Sequence, residues 1–134
     1  MNIEFCRRHP FGTWREHDLE RPGDLPVQSA TYHGAVVICA DVIEHLVNPM
    51  PLLEKLRKAA KAGATVLLST PERVLHYGPG HRGPPPNPAH VREWSLGELR
   101  QLLEHASLRV MSMGLTADNE TDRRIVTSLA VLAA

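Results

Sequence analysis

Two short apolar runs stand out from an otherwise mixed pattern of polar and hydrophobic positions. The first, residues 35–39 (AVVIC), is rich in β-branched side chains and is bounded by Gly34 and Asp41. Such a run predicts a strand that is covered on both faces. The second, residues 64–69 (ATVLLS), has the same character and predicts another core strand.

An amphipathic segment connects these two strands. Leu52, Leu53 and Leu56 recur at helical spacing, with charged residues on the opposite face. Pro49 stands where a helix can begin, and Gly63 where it ends. A strand, a helix and a strand joined at this length predict a parallel βαβ unit with a right-handed crossover.

The last third of the chain predicts one helix and two strands. Ser95 followed by Glu98 three residues later is the pattern of a capping box, and leucines follow at helical spacing. Apolar residues in 108–113 and again in 125–132 predict two strands. The polar stretch 117–124 between them predicts a turn, so the two strands are expected to form an antiparallel pair.

Three other segments give weaker patterns. Residues 13–17 predict a short strand that ends at Asp18, and residues 21–33 read as a turn-rich linker. Residues 70–93 hold so many prolines and glycines that no regular element is expected there. A loop of this length that follows a core strand is expected to be functional rather than a simple connection.

Composition limits the classes of function. The 134 residues suit a single domain, and fifteen basic against fifteen acidic side chains give no net field, so we expect neither a nucleic-acid nor a membrane partner. The apolar runs are too short to span a bilayer, and the polar N-terminus lacks a signal-peptide core, which together predict a cytoplasmic protein. Cys6 and Cys39 lie too far apart for a CxxC motif and are predicted to be buried free thiols.

Candidate chemistry follows the first strand. Asp41, Glu44 and His45 stand at positions i, i+3 and i+4, and a helix beginning near Val42 would place all three side chains at one end of the sheet. Carboxylate and imidazole donors together suit a divalent ion such as Mg, Mn or Zn. The alternative is helix capping by Asp41 and Glu44, which leaves His45 unexplained.

His90 is the candidate for a fourth ligand. The chain has eight histidines and eleven prolines, and three of the histidines and six of the prolines lie between Pro71 and His90. His90 follows a rigid Asn-Pro pair and precedes the next helix by a few residues, whereas the other loop histidines are expected to be solvated. Trp94, at the start of that helix, is expected to pack in the core rather than bind a ligand.

The words DVIEHL, LLSTPER, NPAHVREW and SLGELRQLLEHASLRV together resemble class I S-adenosylmethionine-dependent methyltransferases. The likeness is to the second half of that fold, in the broad group similar to ubiquinone-biosynthesis O-methyltransferases. It implies an α/β, Rossmann-like methyltransferase fold that is truncated at the N-terminus, with a parallel sheet and a C-terminal antiparallel strand pair. Residues 1–134 would then form one methyltransferase-like domain without its glycine-rich cofactor-binding half.

A finer resemblance is to small-RNA 2′-O-methyltransferases, which bind a divalent metal through an ExxEH turn and a distant histidine. It implies metal ligation by Asp41, Glu44, His45 and His90, with Asp41 in place of a glutamate. Glu93 and Trp94 complete the second motif. In that family the metal holds two neighbouring ribose hydroxyls, which here implies a substrate with a vicinal diol, such as a sugar or a catechol. His90, with Glu93, would act as the base that removes the hydroxyl proton.

The resemblance also implies positions for the cofactor, S-adenosylmethionine. No GxG occurs after a first strand, so the first two strands of the fold are missing. Asp18, followed by Leu19, would be the remaining acid near the adenine. Cys39 and Ala40 would contact the cofactor through their backbone, or they are plain core residues, and the sequence does not separate the two.

These patterns favour an S-adenosylmethionine-dependent O-methyltransferase, or a remnant of one, for a small hydroxylated substrate of sugar type. The first alternative is a non-catalytic relative that dimerises or binds a partner through an open sheet edge, since nothing before Trp14 pairs with the core strand. A metal-dependent hydrolase that uses the same histidines is a weaker alternative.

Overall fold

The computed structural model describes residues 3–8, 10–117 and 126–134. Four strands form one sheet in the order β1-β2-β4-β3. In chain order the elements are α1 (Ile3–Arg7), a 3₁₀ turn (Ser29–Tyr32), β1 (Val36–Ala40), a second 3₁₀ turn (Ile43–His45), α2 (Met50–Lys61), β2 (Thr65–Pro71), α3 (Arg73–Tyr77), α4 (Leu96–His105), β3 (Arg109–Ala117) and β4 (Val126–Ala133). None of the helices described is long and apolar enough to cross a bilayer.

The sheet confirms the two predicted supersecondary units. β1 pairs with β2 in parallel across α2, as the predicted βαβ unit requires. β4 lies between β2 and β3 and is antiparallel to both. The predicted turn at 117–124 lies, after residue 117, outside the described residues.

Among the described residues, helices cover one face of the sheet. Buried leucines of α2 and α4 share a single core cluster with alternate residues of β2 and β4, so both helices pack on the same side. On the other side of β1, the exposed fractions of Val36 and Ile38 are 60% and 70%. The prediction that this strand is covered on both faces was therefore wrong, because β1 is an edge strand with helices on one side. That edge position is the arrangement expected when nothing before Trp14 pairs with the strand.

Both helices of the core have the predicted ends. α2 stops before Gly63, whose φ of +97° favours glycine. A Cβ there would also come within 3.2 Å of His33 Nδ1. Ser95 Oγ accepts from the Glu98 amide at 3.3 Å, and Glu98 Oε2 accepts from the Ser95 amide at 2.8 Å, so the predicted capping box is confirmed.

We expect Ser95→Ala to lower the free energy of unfolding by about 1 kcal/mol, because the first turn of α4 loses its side-chain acceptor. Urea denaturation followed by circular dichroism measures the change. Ser29→Ala is the matched control, since Ser29 is exposed and its side chain caps nothing. Equal stability of the Ser95 variant and the wild type would mean that the box contributes nothing.

Two further sequence predictions were wrong. Residues 13–18 form no strand and follow an irregular path. The proline-rich loop does contain a regular element, because residues 73–77 (RVLHY) are free of proline and glycine and form α3. Glu72 begins that helix by accepting from the Leu75 amide at 2.6 Å.

The packing predictions for single residues are confirmed. Trp94 is 6% exposed and belongs to the core cluster. Cys6 and Cys39 are buried free thiols.

Candidate functional site

The candidate site begins where the chain leaves β1. Asp41 takes a φ of +51°, which turns the chain sharply, and its carboxylate accepts from Ser69 Oγ at 3.3 Å. The 3₁₀ turn that follows starts without a side-chain cap. Capping by Asp41 and Glu44, the alternative that the sequence left open, is therefore wrong.

Glu44 is fully buried at this turn. Its Oε2 accepts from Thr70 Oγ1 at 2.8 Å, whereas its Oε1 has no hydrogen-bond partner among the residues described. Its backbone oxygen accepts from the amides of Val91 and Arg92 at 2.7 and 3.2 Å, which fixes the end of the proline-rich loop against the turn. Burial raises the pKa of the Glu44 carboxyl, and the hydrogen bond from Thr70 opposes that rise.

His45 presents its second ring nitrogen to this carboxylate. Its Nδ1 lies 2.8 Å from the backbone oxygen of Ala89, an arrangement in which Nδ1 carries the proton and donates it. Nε2 then keeps its lone pair, and it lies 3.9 Å from Glu44 Oε1. The rings of His45 and His90 meet edge to face, with centroids 4.8 Å apart.

His90 is oriented in a similar way by a buried acid. Its Nδ1 lies 2.5 Å from Oε1 of Glu93, a residue that is only 3% exposed. The amide nitrogen of Asn87 lies 2.9 Å from Nε2, so it donates to the remaining lone pair. A ligand for Nε2 would have to displace that amide.

The structure thus brings together three of the four predicted metal ligands. Glu44, His45 and His90 each offer one ligand atom, and these atoms all lie within 4.8 Å of one another. Asp41 is not part of this group.

The group fits a divalent cation. In Glu44 and His45, one polar atom is held by a protein group (Thr70 or the Ala89 carbonyl), which leaves the other available. In His90, Glu93 holds Nδ1, and a cation at Nε2 would replace the Asn87 amide. Such outer partners are typical of metal ligands in proteins, because they fix ring orientation and tautomer. The unpartnered Oε1 of Glu44 is the buried polar atom that a cation would satisfy.

The predicted cofactor residues of β1 lie at the same end of the strand. Cys39 is 6% exposed, and burial, helped by the charges of Glu44 and Asp41, raises the pKa of its thiol to about 12. Ala40 is exposed at the tip. Their backbone contact with a cofactor stays a prediction.

Asp18 and Leu19 lie on the irregular segment before the linker. Asp18 is exposed, 3.2 Å from Arg21, while Leu19 packs against the core. The buried Lys55 of α2 donates from Nζ to the backbone oxygens of Leu19, Arg21 and Pro51. The segment is therefore fixed to the helix, and its role with a cofactor stays a prediction.

Sequence reasoning missed several residues that shape the site. Glu72, 3% exposed, accepts from the amides of Leu75 and Leu96 and so joins the starts of α3 and α4. Thr70 and Glu72 both stand in the STPER word that the resemblance used, so a signal was present. Lys55 gave no signal, because it reads as one of several charges on the polar face of α2.

Comparison with known proteins places the chain in context. A family model described as "Methyltransferase domain" matches residues 5–113. A protein of Mycolicibacterium smegmatis described as "Probable S-adenosylmethionine-dependent methyltransferase" is 37% identical over 87 residues, which cover 65% of this chain and 32% of that protein. The chain therefore spans about a third of the length of this curated relative.

Two solved structures share the fold. A SAM-dependent methyltransferase from Aquifex aeolicus superposes with a TM-score of 0.57 and 18% identity, over 90% of this chain and 55% of that one. The CMeT domain of the citrinin polyketide synthase gives a TM-score of 0.58 and 12% identity, over 98% of this chain and 35% of that one. At such identities the likeness concerns the fold, and it confirms the predicted class I, Rossmann-like architecture.

Proposed function

Because the chain belongs to the methyltransferase domain family, we propose that it serves methyl transfer from S-adenosylmethionine to a hydroxyl of a small substrate that carries a vicinal diol of sugar or catechol type. The observation that carries the choice of substrate is the Glu44, His45 and His90 group at the end of β1. One carboxylate and two imidazoles suit a divalent cation such as Mn or Zn. A diol offers such a cation two neighbouring oxygens.

The reaction forms a bond between the hydroxyl oxygen and the methyl carbon while the carbon–sulfur bond breaks. The oxygen must lose its proton for this to proceed. Glu44, His45 and His90 would hold the divalent cation, which would supply the Lewis acidity that lowers the pKa of the hydroxyl. The chain's own residues fix the donors: Thr70 orients the Glu44 carboxylate, and the Ala89 carbonyl orients the His45 ring.

His90 is the proposed third cation ligand, and Glu93 positions its ring. Glu93 holds the His90 ring through Nδ1, so that Nε2 carries the lone pair. One lone pair either binds a cation or accepts a proton, and the closeness of Glu44 and His45 favours the cation. The hydroxyl proton is then released to solvent. Solvent reaches this group because His45 is exposed.

The cofactor half of the proposal is tested by calorimetry. We expect S-adenosylhomocysteine to bind the purified chain with saturable heat, and Asp18→Ala to weaken that binding. Glu16→Ala is the matched control, because Glu16 is an exposed acid two residues away. Absence of heat at about 1 mM ligand would overturn the proposal. A Kd of about 1 mM corresponds to a binding free energy of only about 4 kcal/mol.

The substrate half is tested with two simple probes. We expect catechol to bind the chain in the presence of Mn²⁺ and to lose that binding when Mn²⁺ is removed. Phenol, which lacks the second hydroxyl, is expected not to bind in either condition. Equal binding of catechol and phenol would contradict the vicinal-diol requirement.

The exposed edge of β1 favours a second candidate function, association through the sheet. Ile38 is 70% exposed on a strand that pairs on one side only within the described residues. Open edges of this kind pair readily with another strand. A second copy of the chain is the expected partner, and Ile38→Lys should convert a concentration-dependent dimer into a monomer on sizing chromatography. A wild-type chain that stays monomeric at all concentrations would remove this candidate.

A further inference from the structure

A polar cleft opens next to the proposed cation group. It has a volume of about 720 Å³. Its walls are formed by the proline-rich loop, by residues 91–94 and by α4. This volume is in the range of small-molecule sites. Glu93 lines the cleft and also contacts the His90 ring, so one side chain belongs to both places.

Three arginines line this cleft: Arg73, Arg82 and Arg92. The guanidinium of Arg73 lies 2.8 Å from Glu98, with 18% of its side chain exposed, and its buried Nε has no hydrogen-bond partner in the described part of the chain. Arg82 and Arg92 are exposed. Neither of their guanidinium groups forms an ion pair or a hydrogen bond with the residues that the structure describes.

Neither acid of the cleft pairs with Arg82 or Arg92. Glu93 is engaged with His90, and Glu98 is engaged with Arg73 and the Ser95 amide. The chain as a whole has no net charge, so the excess of positive charge here is local. Guanidinium groups bind carboxylate and phosphate oxygens through paired hydrogen bonds, which makes an anion the matching ligand.

We propose that this cleft binds the anionic group, a carboxylate or a phosphate ester, of the substrate whose hydroxyl lies at the Glu44, His45 and His90 group. The inference rests on the proposed function for the role of that substrate, whereas anion binding itself needs neither metal nor cofactor. Arg82 and Arg92 supply the free guanidinium groups, and Arg73, which is paired with Glu98, forms part of the lining. Glu93 joins the two sites, because it lines the cleft and holds the His90 ring.

The shape favours a small anion over a nucleic acid. Pro84, Pro85 and Trp94 form part of the wall, and Trp94 is too deeply buried to stack with a base. Nucleic-acid binding would require a longer basic surface with many phosphate contacts. Within the described residues, the arginine-lined cleft does not provide such a surface.

Titration of the metal-free full chain with inorganic phosphate and, separately, with citrate tests the proposal by calorimetry. We expect saturable millimolar binding of at least one anion, and about tenfold weaker binding in Arg92→Gln and in Arg82→Gln, the loss typical of one charge-assisted hydrogen bond. Binding of only one probe identifies the chemistry as phosphate or carboxylate. Arg100→Gln is the matched control, because Arg100 is exposed on α4, 3.7 Å from Glu104, and does not line the cleft.

Several results would overturn the proposal. Absence of saturable binding of both anions would show that the arginines are solvated surface groups only. Equal weakening by Arg100→Gln would show non-specific attraction. Mn²⁺ binding to the same variants distinguishes the two proposals. If Mn²⁺ still binds while the anions do not, only the cleft proposal is wrong. If the anions bind but Mn²⁺ does not, the proposed function is wrong.

Discussion

Replacing Lys55 with methionine is expected to lower the free energy of unfolding by about 2 kcal/mol, the loss typical of hydrogen bonds that involve a charged group. Lys55 is 2% exposed and lies in α2, and its ammonium donates to the backbone oxygens of Leu19, Arg21 and Pro51. Methionine matches the four carbon positions of the lysine side chain and lacks only the ammonium, so the change removes the donor with little other loss of volume. Urea denaturation measures the difference.

Lys61→Met is the control for this prediction, because Lys61 lies at the exposed end of the same helix. The Lys55 variant should also bind S-adenosylhomocysteine more weakly, since the segment that carries Asp18 and Leu19 is no longer fixed to α2. A Lys55→Met protein as stable as the wild type would show that this segment does not depend on the buried ammonium.

The second large effect is expected at Glu44, where stability and metal binding should change in opposite directions. Glu44→Gln removes a fully buried carboxylate whose Oε1 has no partner, while the amide oxygen can still accept from Thr70. Without metal, the variant should therefore melt at a higher temperature than the wild type. Mn²⁺ at 100 times its Kd should stabilise the wild type by about 2.7 kcal/mol, and it should not stabilise the variant.

Thermal denaturation with and without Mn²⁺ measures both parts of this prediction. Glu104→Gln is the control, because Glu104 is exposed on α4. A Glu44 variant that melts lower than the wild type without metal would contradict the cost assigned to the buried charge. A variant that Mn²⁺ still stabilises would remove Glu44 from the ligand group.

Local patterns predicted the elements of the fold well. The capping box at Ser95 and the helix between the two apolar runs follow from spacing within a few residues, and both are confirmed. The exposed face of β1 was not predictable in this way, because the apolar residues Val36 and Ile38 look the same in sequence whether or not a helix covers them. Which face is covered depends on where α2 and α4 pack, and that is a property of the tertiary structure.

The candidate site was predicted in outline and corrected in detail. Spacing along the chain proposed Asp41, Glu44 and His45 as neighbours on an α-helix, but the chain makes a 3₁₀ turn after a residue at positive φ, so Asp41 is left out of the group. His90 was predicted from the NPAHVREW motif, although it stands 45 positions after His45 in the chain. The Ala89 carbonyl, which orients the His45 ring, carries no sequence signal because every residue has a carbonyl.

The central claim is that Glu44, His45 and His90 bind one divalent cation at the end of β1. Calorimetric titration of the full chain with Mn²⁺ tests it most directly, with His17→Ala, an exposed histidine far along the chain from the group, as control. The expected result is one saturable site in the wild type and in His17→Ala, lost in both His45→Ala and His90→Ala. Mn²⁺ binding of unchanged affinity in either of those two variants, or no saturable binding to the wild type, would contradict the claim.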